Sequence, residues 1–167
     1  MRMIIALLFA LAVSPALADD EHVRVALLSE QDAFAPGTTT WLGLRLTHDP
    51  HWHTYWINPG DSGLPTKLAW QLPPGFHAGD IAWPTPQRIR VGDLYNFGYE
   101  GDVLLPVSLE IPAAATPGAA AHLAVTAKWL VCHEQCIPGK ADLVLDVPVR
   151  TQTAAVAQNA ALFSAAR

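Results

Sequence analysis

The sequence predicts an all-β domain, an antiparallel β-sandwich. Three observations carry that expectation: apolar residues recur at period two, turn-forming Pro and Gly clusters separate the runs, and no apolar pattern at a 3.6-residue period appears before Thr151. Val23, Val25 and Leu27 line one face of a first run, and Leu42, Leu44 and Leu46 line one face of a second. Leu68, Trp70 and Leu72 repeat the pattern, as do Val103, Leu105, Val107 and Leu109. The longest alternations come last: Leu123, Val125, Ala127, Trp129 and Val131, then Leu143, Leu145, Val147 and Val149. Alternation of this kind marks a strand with one buried face. Ala35-Pro36-Gly37, Asn58-Pro59-Gly60, Pro73-Pro74-Gly75 and Pro117-Gly118 punctuate the runs. About seven short strands joined by such turns predict a sandwich. The fourteen prolines suit loops and strand edges rather than helices.

The N-terminus predicts export. Arg2 supplies a positive start, an apolar run from Ile4 to Val13 follows, and Ala16-Leu17-Ala18 has the small-x-small pattern of a signal-peptidase site. That run is too short to span a bilayer. A buried N-terminal helix is the competing reading, but it has no need of the Ala-x-Ala exit. Residues 1–18 are therefore expected to be a cleaved signal peptide, with a mature start at Asp19 in a periplasm-type compartment. Residues 19–150 form the expected domain, long enough to build a core. Residues 151–167 turn to Ala, Gln and Thr and read as a tail or linker. An ordered helix is the competing view there, with Val156, Leu162 and Phe163 as a weak apolar face.

Without the signal, nine Lys and Arg face fifteen Asp and Glu, a net charge near −6 with three lysines. That balance argues against nucleic acid or an anionic membrane surface as partner. No cofactor motif is present.

Chemistry is expected at Cys132 and Cys136. Two cysteines in an exported chain read first as one structural disulfide. Cys132-His133-Glu134-Gln135-Cys136 would close a ring of five residues, however. Loop-entropy arithmetic gives so short a ring roughly 2 kcal/mol, against about 4.7 kcal/mol for a hundred-residue loop. Short local bridges are instead suited to changing oxidation state without unfolding anything. With Trp129 and Val131 facing inward, Cys132 takes the opposite parity at its strand end, and Cys136 lies in the following turn. Both thiols are expected within a partner's reach. Protonated His133 would favour thiolate, whereas Glu134 would oppose it. Cys132 is taken as the attacking thiol.

Two alternatives stand beside redox exchange: an inert sandwich with a structural disulfide that serves as a docking domain, and a copper-binding or copper-tolerance module with a metal site. His51, His53, Cys132 and Cys136 offer borderline and soft ligands for Zn(II) or Cu(I), with His51 and His53 expected on one strand face. Against it, Cys-x3-Cys without a second pair is a weak zinc signal. Both methionines lie in the signal, so the mature chain has no thioether ligand.

The stretch from His53 through Tyr55, Trp56, Asn58, Pro59, Gly60, Asp61 and Gly63 to Pro65 resembles the N-terminal periplasmic domain of DsbD-type thiol:disulfide interchange proteins, closest to the ScsB branch associated with suppression of copper sensitivity. Residues 81–86, 99–106 and 129–138 resemble the same branch, in the same order. The resemblance implies an immunoglobulin-like sandwich with Cys132 and Cys136 as its redox pair. It implies reducing equivalents arriving from a membrane electron-transfer domain or protein and leaving to thioredoxin-fold periplasmic proteins, including cytochrome c maturation factors. It also implies an aromatic cap over the disulfide, placed in the loop Asp93–Tyr99 with Tyr95 and Phe97 as candidates. The Asn58–Pro65 segment is expected to be a structural turn, with Gly60 and Gly63 at special backbone angles.

Overall fold

The period-two runs pair as strands where the alternation places them. The computed structural model describes residues 16–167. The expected signal segment lies outside the described residues except for its last three positions. In chain order the strands are β1 (Ala16–Asp20), β2 (Val23–Ser29), β3 (Thr39–His48), β4 (His53–Gly60), β5 (Lys67–Gln71) and β6 (His77–Ile81). There follow β7 (Gln87–Val91), β8 (Leu94–Glu100), β9 (Asp102–Glu110), β10 (Ala120–Cys132), β11 (Cys136–Pro148) and the helix α1 (Ala157–Ala165).

Two antiparallel sheets face each other across one core, the immunoglobulin-like sandwich expected. One sheet has the order β1-β2-β3-β9-β6, the other β11-β10-β4-β8-β7, with β5 also paired to β10. Val25, Leu27, Leu42, Leu44, Leu46, Leu105 and Leu109 from the first sheet meet Leu123, Val125, Ala127, Trp129, Leu143, Leu145 and Val147 from the second. Each fully buried Leu contributes roughly 1.5–3 kcal/mol. The longest ladder is β10 with β11, in unbroken register from Ala120↔Pro148 to Cys132↔Cys136. Since Trp129 and Val131 point inward, Cys132 projects onto the outer face of that sheet.

Five strands carried no clean apolar alternation. In β4, His53 and Tyr55 take the parity opposite the inward Trp56, so polar groups occupy the pattern. The strand ends at Gly60, φ +89°, after a register shift against β8 between Tyr55 and Gly60. The special angles expected at Gly60 and Gly63 are present, Gly63 having φ +98°, but Asn58 to Gly60 belong to β4, so the turn expected over Asn58–Pro65 begins only at Asp61. Residues 93–99, read as a loop, instead form a hairpin arm: β7 and β8 pair from Gln87↔Gly98 to Val91↔Leu94 around Gly92.

Residues 151–167, read as a tail or linker, carry α1 docked on the first sheet. Phe163 is fully buried against Ala26, Leu28 and Leu104 on that sheet's outer face. Asn159 Nδ2 donates to Ser29 O at 2.9 Å, and Arg167 pairs with Glu30 at 2.6 Å while covering Trp41. The anchors are too few for a helical stripe, yet Ala26 and Leu28 supply an apolar floor on the outward parity of β2. Among the described residues no helix is long and apolar enough to cross a membrane.

Candidate redox site at the hairpin tip

The site is built where the β10–β11 ladder ends. Cys132 and Cys136, the last register pair, are joined as a disulfide. His133, Glu134 and Gln135 form the turn between them, closed by a His133 N–H to Gln135 O bond of 3.1 Å. The two sulfur-bearing residues are unequal. Cys132 is 2% exposed, whereas Cys136 is exposed. Equal reach of both thiols, expected from parity, therefore fails for Cys132. Outward parity did not make it accessible because Cys132 also pairs with His53 of the neighbouring β4, so its side chain lies within the sheet's face rather than at its rim.

Beside it lies Tyr55, which the sequence had not singled out for chemistry, together with His53, named there only as a possible metal ligand. His53 and Tyr55, two apart on β4, share its outer face and are each 1% exposed. His53 Nε2 lies 3.3 Å from Tyr55 Oη, and Tyr55 Oη lies 3.8 Å from Cys136 Sγ. Burial pushes the His53 pKa below its usual value, with Glu100 opposing and His48 and His133 reinforcing. Burial also pushes the Tyr55 hydroxyl up, opposed by a hydrogen bond with Ser62. The signal available in sequence was parity: His53-Thr54-Tyr55 sets the two rings on one side.

A cover lies over Tyr55. Residues 61–65 cross the outer face, with Pro65 bridged to Tyr55 and the Gly63 backbone against the phenol ring. Asn96, 1% exposed, accepts from both Ser62 N–H and Ser62 Oγ at 3.0 and 3.1 Å. Asp61 accepts from Tyr95 N–H at 2.8 Å and returns its own N–H to Tyr95 O at 3.1 Å. The two cap candidates lie elsewhere in these contacts. Tyr95 is 44% exposed, with the guanidinium groups of Arg88 and Arg90 5.2 and 6.0 Å from its ring centre. Phe97 packs edge-on to Trp56 at 6.5 Å. The aromatic hydroxyl at the sulfur belongs to Tyr55.

Three other histidines, His22, His51 and His133, gather around Trp52. His133 sits 6.1 Å from His51 and 5.9 Å from Trp52, which stacks on His22 at 3.7 Å. His51 occupies the turn before β4 with φ +71°, so it does not share a strand face with His53. That removes the geometric basis for pairing them as ligands. Among the described residues, no group of three or more His, Cys, Asp or Glu is placed to hold a metal ion.

An exposed cysteine bridged to a buried one, at the end of a hairpin, is a geometry suited to thiol-disulfide exchange. Comparison with known proteins agrees. The family described as thiol:disulfide interchange protein DsbD, N-terminal, matches residues 24–148. The N-terminal periplasmic domain of ScsB from Proteus mirabilis shares the fold, with a TM-score of 0.65 at 20% identity, over 92% of this chain and 57% of that one. This chain therefore spans little more than half of that protein's crystallised length. The reduced N-terminal domain of Neisseria meningitidis DsbD aligns at 14% identity with a TM-score of 0.39, over 86% of this chain and 90% of that one. No curated protein matches. The match through nearly the whole sandwich, with the disulfide inside it, makes this chain a member of the DsbD N-terminal family, a thiol:disulfide interchange domain.

Proposed function

We propose that the domain is a periplasmic protein-disulfide reductase module that hands electrons from Cys132 and Cys136 to thioredoxin-fold proteins. The observation that carries this reading is the asymmetry of the pair: Cys136 exposed, Cys132 buried beside it. A bimolecular exchange needs one sulfur that a partner can touch and a second that waits out of reach. Cys136 is accordingly the attacking sulfur, reversing the assignment to Cys132 made from sequence neighbours alone.

In the reduced domain the Cys136 thiolate attacks a partner disulfide, forming a Cys136–partner bond and breaking the partner's S–S bond. The released partner thiolate takes a proton from solvent. Cys132, as thiolate, then attacks Cys136 Sγ and releases the second partner thiol. The partner gains two electrons and two protons, and the domain returns to its disulfide. Recharging runs the same steps backwards with a dithiol donor, assigned to a membrane electron-transfer domain or protein. Export through a signal peptide at residues 1–18 places the domain on the side of the membrane where disulfides persist.

The test is trapping. Cys132→Ala, which leaves Cys136 without its resolving partner, should accumulate mixed disulfides with thioredoxin-fold proteins in a periplasmic extract. Cys136→Ala should accumulate few. Absence of trapping, together with a reduction potential below about −300 mV as in structural bridges, would overturn the reading. Stoichiometric Cu(I) binding by the reduced chain, lost on replacing either cysteine, would favour the metal alternative.

A further inference from the structure

A short polar chain runs inward from the exposed cysteine. It passes from Cys136 Sγ to Tyr55 Oη at 3.8 Å and on to His53 Nε2 at 3.3 Å. Both rings are 1% exposed, so bulk water does not compete for these contacts. The phenol cannot swing away, because the Gly63 backbone lies on its ring with no room for a Cβ, and Pro65 bridges the Tyr55 backbone.

We propose that Tyr55 is a catalytic residue whose hydroxyl donates a hydrogen bond to the Cys136 thiolate, with His53 as the positioning residue that turns that hydroxyl toward sulfur. The proposal rests on the reading above, in which Cys136 attacks. Three polar atoms in a row permit two internal arrangements of protons. When His53 carries its proton on Nε2, it donates to Tyr55 Oη, and the phenol proton is free to point at Cys136. Negative charge on sulfur selects that arrangement, since a hydrogen bond to an ionised acceptor is about twice as strong as a neutral one. Donation from the imidazole further polarises the phenol.

The electrostatics fit the assignment of roles. Burial disfavours both imidazolium at His53 and phenolate at Tyr55. Near neutral pH both remain uncharged, leaving sulfur as the member of the row that takes up charge. Glu100 lies opposite His53 on β8 and favours its charged form, while His48 and His133 disfavour it. Ser62 approaches the phenol from the cover, and Glu134 is exposed in the turn, where solvent screens it. Throughout the exchange Tyr55 keeps its proton. The Cys136–partner bond forms, the partner S–S bond breaks, and the proton on the leaving thiolate comes from water, so no additional redox reagent enters.

The test titrates Cys136 alone. In full-length Cys132→Ala protein, the iodoacetamide alkylation rate is followed from pH 4 to 11. Adding Tyr55→Phe is expected to raise the apparent Cys136 pKa by about one unit, cutting the thiolate fraction at pH 7 about tenfold and slowing alkylation there about three- to fourfold. The limiting rate at high pH should rise about threefold, because a more basic thiolate is intrinsically more nucleophilic. His53→Leu should give part of the same rise, and His53→Gln, which retains a donor, should restore most of it. Tyr55→Phe titrating like its parent, or slowing equally at every pH, overturns the proposal. Should Tyr55→Phe not fold by circular dichroism, the His53 variants decide, and equal titrations for Leu and Gln overturn it. The probe is a small alkylating agent, so a failure to trap partners would sink the relay without touching this result, and the reverse also holds.

Discussion

At Gly63 the backbone adopts φ +98° and rests on the Tyr55 ring. A methyl group there would both strain the backbone and press on the phenol. Gly63→Ala should therefore destabilise the domain by about 2–4 kcal/mol, read as a lower urea midpoint. His48 and His53 make stability depend on pH, both in the same sense. His48 is 6% exposed, its Nδ1 bonded to Gly101 O and its Nε2 to Thr54 Oγ1, and burial lowers its pKa as it does that of His53. The unfolded chain then binds protons that the folded chain refuses once pH falls below about 6.5. Their contribution is complete above that pH and is lost on acidification. Stability measured between pH 7.5 and 5 should fall, and His48→Gln or His53→Gln should flatten the slope. At this scale the sequence exposed the cysteines plainly but hid the cover. Nothing in Gly63 or Asn96 by themselves announces a neighbour on another strand, since their roles come from long-range packing.

The hairpin of β10 and β11 was legible because its two faces differ chemically, with Leu, Val, Ala and Trp inward and Thr126, Lys128, Asp142 and Asp146 among the outward positions. Its ladder already fixes the two cysteines opposite each other, so the bridge restrains a loop that is nearly closed without it. Reduction should lower unfolding stability by no more than about 2 kcal/mol, measured by denaturation with and without reductant. The β7–β8 arm was not legible. Leu94, Asn96 and Gly98 give no apolar alternation, because Asn96 is buried to receive two bonds from Ser62 rather than to pack a core. Asn96→Ala should leave those half-buried Ser62 donors without their acceptor, costing about 1–2 kcal/mol by the same denaturation assay.

For the whole molecule, the sandwich was readable from alternation and turns, whereas its third layer entered only as the competing view of residues 151–167. The helix depends on tertiary contact more than on its own pattern, with Phe163 supplying the principal buried side chain. Phe163→Ala should cost about 3–5 kcal/mol in unfolding stability. The alkylation rate of reduced Cys136 should not change in the folded variant, since α1 lies on the sheet that does not carry the disulfide.

The unbroken register of β10 against β11 has one more consequence. A ladder pinned from Ala120↔Pro148 onward has no slack to slide when its terminal bond opens. News of oxidation or reduction therefore stays local, confined to the turn, the two sulfurs and the rings beside them. The rest of the surface should then present the same face in both states, read as unchanged amide hydrogen exchange outside the turn on reduction. A partner that tells the charged domain from the spent one must do so by touch, at the few residues where the electrons are kept.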